Sequence, residues 1–234
     1  HSSPSERDLQ NLHYIAFRLD RSRIEAHGLI TERKLRKFVE VFALDPDIVN
    51  SAFIYEDVAR AAIETIYRQY LDVGFNYDLP LLLSTPTWRA GQKRIAAAGY
   101  EGTDVNGDNF RFLDALRTSY GVYAQKVVIC GLLSCQGDAY NPDEALEIDV
   151  AHEFHAWQAM NLAEAGVDFL LAATLPALSE ATGLASALAD TGKPYIVSFV
   201  IRPEGTLLDG TPLKDAIAAI DATVIPSTFL LTSL

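Results

Sequence analysis

The stretch from Val167 to Ile217 constrains the fold more than any other part of the chain. It reads as two strand-to-helix units in tandem, VDFLLAATLPALSEATGLASA over Val167–Ala187 and KPYIVSFVIRPEGTLLDGTPLKDAI over Lys193–Ile217. Each opens on a short apolar run and passes through a loop into a segment with helical spacing. Strands that are nearly continuous in apolar residues are buried on both faces, as in a parallel sheet flanked by helices. In such folds the loops leaving the carboxyl ends of the strands carry the chemistry.

The same alternation recurs along the chain. Strands are predicted at Tyr14–Leu19, Leu79–Ser84, Lys126–Leu133, Val167–Ala172, Tyr195–Val200 and Thr228–Thr232. Three stripes have helical spacing: Tyr55, Val58, Ala62, Ile66, Tyr70 and Val73; Leu146, Val150, Phe154 and Trp157; and Leu178, Ala181, Ala185 and Leu188. Each is expected to bury one helix face. The long connection Asp20–Asp78 holds two extra helices, over Glu32–Ala43 and Tyr55–Val73. About six βα units in one line favour an α/β fold of the (β/α)8 TIM-barrel type over a doubly wound sheet. Because a closed barrel needs eight strands, residues 13–234 read as a single barrel domain incomplete at its C-terminus. Residues 1–12 read as a polar arm or tag remnant.

Composition narrows the function classes. Hydrophobic residues make up 49% of the 234 and charged residues 21%, the balance of a folded domain rather than a disordered one. A net charge of −12 without a basic block argues against nucleic acid as a partner. No apolar run approaches the roughly 20 residues that span a bilayer, so no membrane partner is expected. Two cysteines, Cys130 and Cys135, make a poor disulfide framework and point to a reducing, cytoplasmic setting. Homo-oligomerisation is left open.

Few residues announce catalysis. His152, Glu153 and His155 form HEFH rather than the HExxH of a zinc helix, and a solvated or helix-packing role is expected for them. Cys130 and Cys135 lack the further ligands that tetrahedral zinc requires. Neither GxxxxGK[ST] nor GxGxxG occurs, which disfavours a nucleotide enzyme. Polar residues do mark strand ends: Asp20, Ser84, Thr85, and Ser198 within VSF. Asn106 opens a helix, placed either to cap it or to reach a ligand.

Taken in order, LLLSTPTWRAGQKRIAAAGY, VNGDNFRFL, VVICGLLSCQGDAY, AHEFHAWQAMNLAEAGVDFLL, GVDFLLAATLPALSEA, KPYIVSF and EGTLLDGTPLKDAI resemble the homocysteine S-methyltransferase family, especially a bacterial branch with the TPTWRA variant. The resemblance implies a barrel enzyme of methionine biosynthesis. It would transfer a methyl group from a sulfonium, betaine or folate-type donor to a small-molecule thiol, with family zinc held by three cysteine thiolates. It implies that Asp20 and Asn106 orient the amino acid part of the substrate and that Thr85 and Ser198 line its pocket; it names no catalytic residue here. The chain departs from the family pattern at several points. Arg21–Glu25 replace the glycines after Asp20, Ala173 stands where many members carry glutamate, and Thr232–Ser233 stand where the first zinc cysteine belongs. The later cysteine pair has no counterpart. No metal ligand is therefore expected in this chain, and the alternative reading is a non-catalytic or repurposed barrel that binds a small amino acid-like ligand without zinc.

Overall fold

A computed structural model describes residues 44–224 and the backbone of 228–233. The predicted strand at Tyr14–Leu19, the predicted helix at Glu32–Ala43 and Asp20 lie outside the described residues. Five strands, β1 (Leu81–Ser84), β2 (Val127–Ser134), β3 (Phe169–Leu175), β4 (Tyr195–Ile201) and β5 (Thr228–Ser233), form one parallel sheet in the order β1-β2-β3-β4-β5. Among the described residues six α-helices accompany it: α1 (Asp57–Asn76), α2 (Gln92–Ala97), α3 (Val105–Thr118), α4 (Ile148–Ala165), α5 (Leu178–Ala189) and α6 (Leu213–Thr223). A 3₁₀ turn over Asn50–Tyr55 precedes α1. No described helix is long and apolar enough to cross a membrane.

The strand order has a physical consequence. Every crossover steps one strand in the same direction, and right-handed crossovers of that kind keep the helices on one face of the sheet. The two faces accordingly carry separate clusters. Leu81, Leu83, Ile129, Leu133, Leu170, Ala172, Val197 and Phe199 pack with the helices. Cys130, Leu132, Leu171 and Ala173 gather on the other face with Leu82, Phe169 and Ile196, and among the described residues Trp88 is the only member from outside a strand. That second face is the inner wall of a barrel-type sheet.

Local chemistry sets the element ends. Asp104 caps α3 by accepting the Gly107 N–H at 3.1 Å. Gly166, at φ 107°, ends α4 in the left-handed conformation that glycine adopts without a Cβ clash and turns the chain into β3. Gly183 on α5 lies where a Cβ would run into the Ile148 carbonyl and the Ala151 side chain, so α4 and α5 approach backbone to side chain.

Two predicted stripes are corrected by one residue. On α1 the buried face is Ala59, Ile63, Ile66, Tyr67, Tyr70, Leu71 and Gly74, while Val58 is exposed. On α4 it is Ala151, His155, Gln158, Ala159 and Leu162, and Val150 is exposed. The cause on α4 is that a polar pair, His155 and Gln158, occupies inward positions that hydropathy assigns to solvent. The α5 stripe is buried at Ala181, Ala185 and Leu188 as expected. Strand β3 runs past the predicted end at Ala172 to Leu175 through a register shift, with Thr174 at φ 53°.

Candidate active site

The carboxyl ends of the strands bear a rim of buried polar groups, built outward from β1. After Ser84 the chain leaves the sheet at Pro86, yet pairing to β2 continues through side chains. The Leu132 N–H donates to Thr85 Oγ1 at 3.0 Å, and Thr87 Oγ1 donates to the Leu132 carbonyl at 2.9 Å. Since the single Thr87 proton is committed there, Thr85 donates across the 2.7 Å contact between the two hydroxyls. Thr85 is fully buried and serves this ladder.

The loop that follows is clamped by its carbonyls. Tyr67 Oη donates to Ser84 O (2.9 Å), Ser51 Oγ to Pro86 O (2.6 Å), Gln158 Nε2 to Thr87 O (2.6 Å) and Asn106 Nδ2 to Ala90 O (2.9 Å). Asn106 is therefore a buried brace of the Thr85–Ala90 loop, and the helix-capping role predicted as its alternative belongs to Asp104. Its Oδ1 also accepts from Gln158 Nε2 at 3.3 Å. The clamped loop presents Trp88 against the inner cluster, with the Arg89 guanidinium 4.8 Å from the centre of the Trp88 ring.

The loop after β2 is tied down by a buried carboxylate. Glu180, in the first turn of α5 and 0% exposed, accepts the Gln136 N–H at 2.6 Å and the Leu146 N–H at 3.3 Å. His155, itself 1% exposed, lies 3.0 Å from Glu180 Oε1. A carboxylate is acceptor-only, so His155 Nε2 carries the proton of this pair. From the other side Arg94 donates to Gln136 O and Arg89 to Gly137 O, each at 2.9 Å. The expected helix-packing role thus holds for His155 in a more specific form, whereas His152 pairs at the surface with Asp190.

Small neutral side chains complete the inner wall. Ser134 donates to the Ala173 carbonyl at 3.0 Å, and Ser198 is buried on β4 between the inward-facing Ile196 and Val200. Cys130 points its thiol at Ser84 Oγ (3.2 Å). Burial pushes both thiols up to about 12, Cys130 most purely, and Cys135 with further help from the Glu180 charge. Both are therefore protonated at neutral pH. The backbone of Ser233 pairs with Ile201 at the end of β5; its side chain lies outside the described residues.

Thr85, Asn106 and Ser198 all belong to this end of the sheet. Sequence reasoning missed Glu180, Gln158 and the Trp88–Arg89 pair, and it read His155 without its carboxylate partner. One signal was available: His155 and Gln158 are three apart and share a face with Ala151, Ala159 and Leu162, so an apolar stripe was interrupted by two groups that need buried partners.

The family's zinc does not fit the donors described. No group of three His, Cys, Asp or Glu side chains able to hold a metal occurs among the described residues, both cysteines are buried thiols, and β5 ends on Thr232 and Ser233.

Comparison with known proteins agrees with the geometry. Among solved structures, the homocysteine methyltransferase MmuM of Escherichia coli in its metallated form superposes with a TM-score of 0.68 at 22% identity, covering 90% of this chain and 70% of that one. Its oxidised form gives 0.65 at 20% identity, with the same coverage. In sequence, the chain is 34% identical over 93 residues to a homocysteine S-methyltransferase of Escherichia coli K12, and 32% identical over 92 residues to the homocysteine S-methyltransferase YbgG of Bacillus subtilis 168. Those matches span 38% and 39% of this chain and 29% of each relative. The family model for homocysteine S-methyltransferase matches residues 22–231, and the chain belongs to that family.

Proposed function

We propose that this protein transfers a methyl group from a sulfonium, betaine or folate-type donor to the thiol of homocysteine or a close analogue. The observation that carries the reading is the family match over residues 22–231. The chemistry of the rim is consistent with it. In methyl transfer the thiolate sulfur attacks the methyl carbon in line, the bond from that carbon to the donor heteroatom breaks, and its electrons leave with the donor. The thiol proton goes to solvent. A reaction of this kind depends on alignment and exclusion of water, which a rigid rim supplies. The described rim holds the carbonyls of the loop after β1 by buried side chains from other elements, and small neutral side chains line part of its wall.

In the proposal Asp20 and Asn106 orient the amino acid part of the substrate, and Thr85 and Ser198 line its pocket. Asn106 and Thr85 would act chiefly by fixing the loop around them. A sixth βα unit beginning at Tyr14–Leu19, a cytoplasmic setting and a place in methionine biosynthesis belong to the same proposal. No step is routed through zinc, because the described donors do not fit it.

The residues that depart from the family pattern, Arg21–Glu25 in place of glycines and Ser233 in place of a cysteine, motivate a second reading, a repurposed barrel that binds a small amino acid-like ligand without catalysing transfer. Incubation with homocysteine and each of S-methylmethionine, betaine and methylfolate, with and without added zinc, decides between them. Methionine formation above the uncatalysed rate supports transfer. Its absence with all three donors sinks the catalytic reading.

A further inference from the structure

The loops after β1 and β2 are bound to each other by two separate routes. One is direct: Arg94 and Arg89, from α2 and the loop that leads into it, donate to the Gln136 and Gly137 carbonyls of the second loop, each at 2.9 Å. The other runs through α4, where His155 and Gln158 lie one turn apart on the buried face. Gln158 Nε2 holds Thr87 O of the first loop at 2.6 Å. His155 Nε2 meets Glu180 Oε1 at 3.0 Å, and that carboxylate accepts the Gln136 and Leu146 N–H groups of the second loop. Gln136 is therefore held on both of its backbone groups, the N–H by α5 and the carbonyl by α2. Gly183, one turn beyond Glu180, lies where a Cβ would come within 2.2 Å of the Ile148 carbonyl, so the two helices that carry the His155–Glu180 pair are in backbone contact.

Links of this kind disfavour opening of one loop alone. Departure of either loop breaks the guanidinium bonds between them, so opening the second costs less by whatever those bonds contribute. A movement of α4 that releases Thr87 also draws His155 away from Glu180, because one helix turn carries both side chains. Gln158, His155 and Glu180 are 4%, 1% and 0% exposed, so water does not replace a lost partner while the surrounding packing stays closed.

We infer that the loops after β1 and β2 open and close as one body, latched by α4 and by Arg89 and Arg94. A ligand that engages either loop then holds both, and the carboxyl end of the sheet is reached through their joint motion. The inference goes beyond the methyl-transfer reading and stands or falls without it.

Native-state hydrogen exchange on the intact chain at low urea tests it. Ala90, whose amide donates to Thr87 O, reports on the first loop; Gln136 and Leu146, whose amides donate to Glu180, report on the second. Leu170, whose amide donates to Pro194 O, reports on the core of the sheet. Ala90, Gln136 and Leu146 are expected to share one opening free energy and one urea slope, both smaller than those of Leu170. Separate values for the two loops would overturn the inference. So would coincidence of all four amides, which marks global unfolding as their common route. Ser51→Ala removes the clamp on Pro86 O in the first loop, and Ser51 makes no hydrogen bond to the second among the described residues. It should speed exchange at Ala90, Gln136 and Leu146 alike, by about tenfold, the factor that 1.4 kcal/mol represents. Acceleration confined to Ala90 would overturn the joint motion. In an Arg94→Met background the same change should act less on Gln136 than on Ala90, and Arg94→Lys should restore the balance; an undiminished effect on Gln136 would remove Arg94 from the latch. The comparison of amides in the unaltered chain decides for or against joint opening even where a variant fails to fold.

Discussion

Two loops at the same end of the sheet are held in opposite ways. The one after β4, Ile201 to Pro212, closes largely on itself: Arg202 N donates to Thr206 O, Gly205 N to Arg202 O and Leu207 N to Thr211 O, while Asp209 accepts from Thr211 N, and its backbone reaches outside where Leu208 N and Asp209 N donate to Pro176 O. The one after β1 is held by side chains 16 to 71 residues away, Asn106 and Gln158 among them. A self-closed loop is a property of its own ten or so residues. A loop clamped from elsewhere is a property of the assembled domain, and loosens when any of several distant elements shifts. The loop after β2 is of the second kind, with Glu180 as its anchor.

The largest effect is therefore expected at Glu180. Glu180→Leu strands the Gln136 and Leu146 N–H groups and leaves His155 without its acceptor, at a cost of roughly 3–5 kcal/mol. Urea unfolding would measure it; a loss below about 1 kcal/mol would mean that the loop after β2 does not depend on this anchor. Next is Gln158→Ala, which frees the Thr87 carbonyl and Asn106 Oδ1 and should cost about 2–3 kcal/mol. Because Gln158 clamps the loop that carries Trp88, the same variant should broaden the Trp88 environment. Fluorescence anisotropy in a Trp157→Phe background reads that change. Asp209 variants should leave it untouched.

The thiols report on the same rim. Cys130 and Cys135 are protonated and buried, so a disulfide reagent should modify neither until the rim opens, and modification should quicken in Gln158→Ala. Their pH dependence has a fixed sign. In the unfolded chain these thiols ionise near 9, whereas burial holds them up to about 12 in the folded protein. Below pH 9 both states hold the same thiol protons. Above it the unfolded state releases protons that the folded state keeps, so stability falls through the window from 9 to 12, by about 1.4 kcal/mol per pH unit per thiol at its steepest. A Cys130→Ser, Cys135→Ser double variant should flatten that fall, as melting curves from pH 8 to 11 would record.

The contrast between the loops also explains what the sequence disclosed. The strands were legible because a parallel sheet buried on both faces writes itself as apolar runs, and β4 was read to within one residue at Ile201. The extension of β3 was not, since Thr174 joins the strand only through a bulge secured by Ser134 from β2. At the rim Thr85 was legible as a polar residue closing an apolar run and Ser198 as a polar residue within one. Their company was not: nothing in the pattern singled out Glu180 or Gln158, and His155 was expected only to be solvated or to pack its helix; the close approach of α4 to α5 at Gly183 brings His155 to Glu180, and the loop after β1 takes up Gln158. Buried polar networks are invisible to periodicity because the rule that hides them, polar outward, is the one they break.

The smallest effect sharpens the comparison most. Beside the backbone bonds of Leu208 and Asp209 to the Pro176 carbonyl, the Asp209 side chain joins its loop to the rest of the domain by accepting the Leu178 N–H at the start of α5 at 2.8 Å. That is a helix cap on an exposed residue, worth about 0.5–1 kcal/mol. Asp209→Ala should therefore lower stability by that little. If the β4 loop is held by its own backbone, hydrogen exchange at the Leu207 amide, which donates within the loop, should stay protected in this variant while the Leu178 amide becomes faster. Loss of protection at both would mean that Asp209 is an anchor like Glu180 and that the two loops do not differ in kind.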